Sequence, residues 1–378
     1  MVYLDYAATT PVLPEAAQAA LAAMTEQWHN PSGRYAAAAQ SAKRLEADRS
    51  AIAKALGCQP GELFFTSCGT ESDNWAIRMG AHLNRRRGRH LITTAIEHAA
   101  VLETCKDLEK EGWEVTYLPP TSEGTVSPED LRAALRPDTV LVSMMLVNNE
   151  LGSVLPVREL CQIVKSYNRT ILFHTDAVQG FLKVPFTARA LGVDLLSLSG
   201  HKVHAPKGIG ALYVRSGVKL PPLLTGGGQE RGLRSGTEPT AQIAAFAEAV
   251  RVCAATSAAD QAHMAALKEY ALSNLAKKLP SVEEIVHGEA PHILALTLPG
   301  YKAEVLVRVL GDRGVCVSAG SACHRGKPSH VYAALKLSKP RRDGAFRVAL
   351  DRSTTREDLD ALVEELVRAK EQLFPTMS

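Results

Sequence analysis

The chain has 378 residues, 46% hydrophobic and 22% charged, with a net charge of +3. That length allows two packed units, since single cores stop growing near ~250–300 residues, and the charge is too small to argue for direct nucleic-acid binding. No apolar run approaches the ~20 residues that cross a bilayer, no basic-then-apolar export signal opens the chain, and seven cysteines with no CxxC pair suit free thiols in a reducing, cytoplasmic setting.

In chain order, Ala-rich helices are predicted over 15–25 and 35–56, a short strand over 63–66, a helix over 72–84 and a strand over 90–94. Next come a helix over 99–111, a strand over 114–118, a helix over 128–135 and a strand over 140–147. A helix over 157–167 and strands over 171–174, 195–199 and 210–214 complete this part. Such alternation implies an α/β large domain, a mostly parallel sheet of the seven-stranded type flanked by helices. The tail differs: a long helix over 242–278, a strand over 293–297, a helix over 302–313, a strand over 345–350 and a helix over 355–372 read as a smaller α+β domain. The division is 15–250 for the large domain, with 1–14 and 251–378 forming the small one. The basic run Arg85-Arg86-Arg87-Gly88-Arg89 reads as a solvated helix end before a strand.

Four segments carry chemistry. Cys323 stands in Ser321-Ala322-Cys323-His324-Arg325-Gly326-Lys327-Pro328, a basic loop of small residues whose cations favour the nucleophilic thiolate. Lys202 follows an apolar strand in Ser199-Gly200-His201-Lys202, a poor strand-end residue on structural grounds but a good one for a Schiff base with a carbonyl cofactor. Asp176 lies just past the apolar strand Ile171-Leu172-Phe173-His174, where a carboxylate would keep a pyridine nitrogen protonated. The turn Cys68-Gly69-Thr70-Glu71-Ser72 opens a helix whose free N–H groups suit a phosphate. Thr70, His98, Asn149, Asp176 and His201 gather where the carboxyl ends of strands fall, the usual ligand side of such a sheet. No His cluster has metal-ligand spacing, so no metal site is expected.

Taken in order, these segments, with Leu4-Asp5-Tyr6-Ala7-Ala8-Thr9-Thr10-Pro11, Glu97-His98, Asn148-Asn149-Glu150, Gly226-Gly227-Gly228-Gln229-Glu230-Arg231, Arg234-Ser235-Gly236-Thr237 and Ser321-Ala322-Cys323, resemble the cysteine desulfurases. That is a class-V aminotransferase group of the fold-type I pyridoxal-phosphate enzymes. The resemblance implies pyridoxal 5'-phosphate carried on Lys202, with Asp176 on the ring nitrogen, Gln179 on the phenolic oxygen and His98 stacked on the ring. It implies a phosphate held by Gly69, Thr70, Ser199 and His201, with Thr237 reaching the other subunit of a homodimer. Asn149 would orient cofactor and substrate, Arg347 would clamp the carboxylate of L-cysteine, and Asn30 either touches substrate or forms an Asn-Pro turn. Lys202, Cys323 and His98 would be catalytic: sulfur passes to Cys323 as a persulfide, L-alanine leaves, and a protein acceptor for iron–sulfur assembly or thiolation takes the sulfur. A selenocysteine lyase, another class-V transaminase, or a non-catalytic partner in a sulfur-transfer complex are the alternatives. Two residues depart from the family's Arg-x-Ser-x-Gly-Arg: Ala349 and Asp351 stand at the Ser and Gly positions around Arg347.

Overall fold

The structure is a computed structural model that describes residues 1–320 and 329–375. Seven strands form the main sheet, in the spatial order Leu63–Thr66, Gly210–Val214, Leu195–Ser199, Leu172–Asp176, Thr139–Ser143, His90–Thr94 and Glu114–Leu118. All run parallel except Gly210–Val214, which is antiparallel to both neighbours. Successive strand residues point to opposite faces, and the cores divide accordingly. Leu91, Leu141, Leu172, Leu195 and Leu212 pack with Trp75, Ile77, Val101 and Leu108 of the helices Gly69–Asn84 and Ala99–Lys110. Ile92, Val142, Phe173, Leu196 and Ala211 pack on the other face with Ile52 of the helix Ala36–Leu56 and Leu160 of Val157–Tyr167.

The rest of the chain builds a second core around Leu4, Leu306, Phe346, Leu359 and Leu366. Its antiparallel strands Glu283–Val286, Ile293–Thr297 and Ala345–Ala349 form one small sheet, and Val2–Tyr3 pairs in parallel with Val315–Cys316. The helix Thr240–Lys278 serves both cores: Ile243 to Val250 pack in the first, Met264 to Leu275 in the second. The two cores therefore part inside a continuous helix, with no linker between them. Among the described residues, no helix is long and apolar enough to cross a membrane.

Two boundaries differ from the sequence reading for a local reason. The strand read over 140–147 closes at Ser143, because the amide of Met145 turns away to the buried Glu97 carboxyl at 2.9 Å. The helix read from 72 begins at Gly69, so the small-residue turn is already its first turn.

Candidate active site

A cavity of about 240 Å³ opens at the carboxyl ends of the parallel strands. Each wall residue is delivered by a strand end or by what immediately follows one. Asp176 and Ser199 end their strands, and Lys202 closes the short 3-10 turn Gly200–Lys202. Gly69 and Thr70 open a helix, and His98 caps the next one, its Nδ1 accepting from the amide of Ala100 at 3.2 Å. With Nδ1 accepting, Nε2 carries the ring proton. Asn149, Gln179, His201 and Arg347 complete the set. Ten of the sequence-derived site residues thus share one cavity.

Three do not join it here. Asn30 lies on the surface, where its Oδ1 accepts from the amide of Ser32 at 2.9 Å and closes an Asn-Pro turn. Thr237 is exposed and absent from the cavity wall. The loop that carries it is tied down by Arg234 on Glu71 at 2.9 Å and by the buried pair Arg49–Glu230 at 2.8 Å. Cys323 lies outside the described residues.

Lys202 Nζ donates to the carbonyls of Ala7 and Ala8, both at 2.7 Å. Burial, then the cations Arg347 and Lys183, lower its pKa from 10.5 to about 7, against the pull of Asp5 and Asp176. Arg347 is itself buried; its Nη1 donates to the Asn149 carbonyl at 2.6 Å and its Nη2 to Asp5 Oδ1 at 2.7 Å. The Ala349 and Asp351 departures leave this fork intact, and Nε of Arg347 has no partner among the described residues.

Beneath the cavity lies a layer of buried acids that the motifs did not single out. Burial raises Asp176 to about 6, opposed by its hydrogen bond from the Val178 amide and by Lys202. Asp73 is pushed well up by burial and by the neighbouring Asp176 charge, so the pair holds a proton between them. Glu97 is raised to about 8, chiefly by burial, and is a neutral acid accepting from Thr94 Oγ1 and the Met145 amide. His174, lowered by burial to about 3, is a neutral spacer between Ser143 Oγ at 2.8 Å and Ser197 Oγ at 2.9 Å, with Asp73 at 3.6 Å. A period-two apolar strand with one His gives that residue's face in the sequence, but not its partners.

The cavity fits a phosphorylated pyridoxal. The amides of the first helical turn, 69–71, have no intrahelical acceptor and face a phosphate-sized end beside Thr70 and Ser199. A β-carbon on Gly69 would lie 2.9 Å from Val178 Cγ2, so only glycine lets the backbone come this close. Asp176 is a buried carboxyl with no cation bonded to it, suited to a protonated ring nitrogen. The buried Gln179 donates to the Ala7 carbonyl and leaves its amide oxygen without a partner among the described residues. Lys202 supplies the amine.

Comparison with known proteins agrees in extent as well as chemistry. The family described as Aminotransferase class-V matches residues 2–362. A protein of Methanosarcina thermophila named cysteine desulfurase IscS is 42% identical over 99% of this chain and 94% of its own length. A cysteine desulfurase of Nostoc sp. is 40% identical over 99% and 94%. Among solved structures, a NifS-like protein superposes with a TM-score of 0.93 at 37% identity, covering 98% of this chain and 100% of that one. With the pattern of residues and the backbone both shared from end to end, this chain belongs to the class-V aminotransferase family.

Proposed function

We propose that the protein is a cysteine desulfurase, which moves the sulfur of L-cysteine onto Cys323 and passes it to a protein acceptor. The observation that carries this reading is the cavity that brings Lys202, Asp176, His98 and Arg347 together, in a chain whose full-length relatives are cysteine desulfurases.

Bound pyridoxal 5'-phosphate supplies an electron sink joined to the Cα of the amino acid it holds. The chain supplies the rest. The first-turn amides at 69–71, Thr70, Ser199 and His201 hold the phosphate. Asp176 keeps the ring nitrogen charged, and the acid layer below it returns a proton to Asp73 when that charge forms. Lys202, with its pKa drawn towards neutrality, takes the Cα proton once free, and His98 Nε2 is a proton donor at the cavity wall. Arg347 receives the substrate carboxylate on the edge that Asp5 now occupies, in a fork geometry. The Cys323 thiolate attacks the sulfur of the substrate. The Cβ–S bond of cysteine breaks, an S–S bond forms on Cys323, and protonation of the carbon gives L-alanine.

The reading extends to a homodimer in which the Glu71- and Arg49-anchored loop presents Thr237 to the other subunit's phosphate. It also extends to a cytoplasmic enzyme whose acceptor serves iron–sulfur assembly or thiolation, as the name IscS of the relatives suggests. Mass spectrometry after incubation with L-cysteine tests the core of it. A sulfur adduct is expected on Cys323, and alanine release should cease in Cys323→Ser. Alanine released at an undiminished rate by Cys323→Ser refutes the mechanism.

A further inference from the structure

We propose that Asp351 is a positioning residue for the lysine turn: it holds His204, and through His204 the segment that presents Lys202. The inference rests on Lys202 being the cofactor-bearing amine. It begins from a departure of this chain, a carboxylate where the family pattern has glycine.

Residues 201–204 are stitched to the N-terminal segment by a run of hydrogen bonds. The His201 carbonyl accepts from the amide and the hydroxyl of Thr10, both at 3.0 Å, and Thr10 Oγ1 in turn accepts from the His204 amide at 2.8 Å. The Leu13 amide donates to the His204 carbonyl at 3.1 Å. That same N-terminal segment provides the Ala7 and Ala8 carbonyls on which Lys202 Nζ rests. The backbone at His204 has φ +65°, a left-handed conformation that a residue with a β-carbon keeps only where its surroundings hold it.

The His204 ring is what is held. Its Nδ1 lies 3.0 Å from the Pro11 carbonyl and its Nε2 2.9 Å from Asp351 Oδ1. Both partners are acceptors, so the arrangement is satisfied in full only when both ring nitrogens donate. A glycine at 351 would leave Nε2 buried with no partner there, since His204 is almost wholly inaccessible. Asp351 is fixed in turn: its second oxygen accepts from the hydroxyl of Ser353 at 3.0 Å, and its own amide donates to Thr354 Oγ1 at 2.9 Å. Burial works against the charged carboxylate, but the His204 hydrogen bond, Lys183 and Ser353 outweigh it and hold Asp351 well below the usual carboxylate range.

The same carboxylate answers a second need. Lys183 is buried, with no hydrogen-bond partner for its amine among the described residues, and Asp351 is the leading charge that favours its cationic form. Lys183 is also one of the cations that depress Lys202. Asp351 thus bears on Lys202 mechanically through His204 and electrostatically by offsetting Lys183. It stands two residues beyond the strand Ala345–Ala349 that carries Arg347, so one segment positions both the carboxylate clamp and the reactive amine.

The test uses Asp351→Asn and Asp351→Gly, each with and without His204→Asn, and two readouts. In the cofactor-free protein, hydrogen exchange of peptides covering 201–205 should quicken about tenfold while the strand 195–199 keeps its protection; a merely structural role would raise both together. In the loaded enzyme, the pH midpoint of the visible absorbance of the Lys202-bound cofactor should fall by about half a unit or more once Asp351 no longer offsets Lys183, with Arg347, Asp5 and Asp176 unchanged around the amine. In the His204→Asn background, either change at 351 should add nothing to the exchange of 201–205. Wild-type exchange at 201–205 in both single variants, or additive effects in the doubles, overturns the proposal. A visible band that survives Lys202→Ala would instead refute the cofactor reading, and the exchange result would stand apart from it.

Discussion

An amine with a pKa of 10.5 is almost entirely protonated at neutral pH, and a protonated amine does not attack a carbonyl. Lys202 is drawn to about 7. At pH 7 its neutral fraction is then about one half, against roughly 3 in 10,000 for an ordinary lysine, a gain on the order of a thousandfold in reactive amine. The perturbation is pH itself, applied to the cofactor-free protein as pyridoxal 5'-phosphate is added. The rate of appearance of the visible band should climb tenfold per pH unit below about 7 and level off above it. A simple alkylamine treated identically removes the cofactor's own titration. Arg347→Gln removes the strongest cation acting on the amine after burial, so its plateau should begin at higher pH by roughly one unit. A rate that keeps rising with unit slope to pH 9 or 10 refutes the environment described for Lys202.

Further consequences follow from the same geometry. Gly69→Val should load pyridoxal 5'-phosphate at least about tenfold more weakly in an absorbance titration, because even the first carbon of the side chain meets Val178 at 2.9 Å. Asp194→Ala should lower stability by about 3–5 kcal/mol in urea unfolding, since this fully buried carboxylate accepts from the Phe173 amide, Lys165 and Arg215 together. Asp351 has a depressed folded pKa, so its stabilisation is complete above the unfolded value of about 3.9 and is lost as pH falls through the folded one. The melting-temperature gap between wild type and Asp351→Asn should therefore be widest near pH 7 and narrow in acid. His174, neutral in the core with a value near 3, adds an acid loss between about 6.5 and 3 that His174→Gln should reduce.

The fold was legible where one rule sufficed. Strands such as 90–94, 114–118, 195–199 and 210–214 lie where apolar β-branched and leucine runs put them, because both faces of the sheet are buried and nothing competes. The elements that escaped are those stabilised by distant partners. Val2–Tyr3 and Val315–Cys316 are two residues each and exist only because they pair with one another. Glu283–Val286 is half exposed at a sheet edge. The early end of the Thr139–Ser143 strand depends on the Glu97 carboxyl, 48 positions away from Met145, which no local pattern encodes.

The site divides along the same line. Lys202, Asp176 and the Gly69-Thr70 turn were legible because strand ends and helix starts are local features, and the fold then carries them to one place. The acid layer was not, because Asp73 and Glu97 acquire their character from burial and from each other, which a sequence does not display. Asp351 shows the difference most clearly. Read in sequence it is only the loss of a glycine near Arg347, a reason to doubt the clamp. In the structure the clamp is unaffected, and the carboxylate meets a histidine 147 positions away in the lysine turn. A substitution that looks like damage to one motif is the second half of another, and the pair exists only once the strand end at 349 and the turn at 200–204 have been folded against each other.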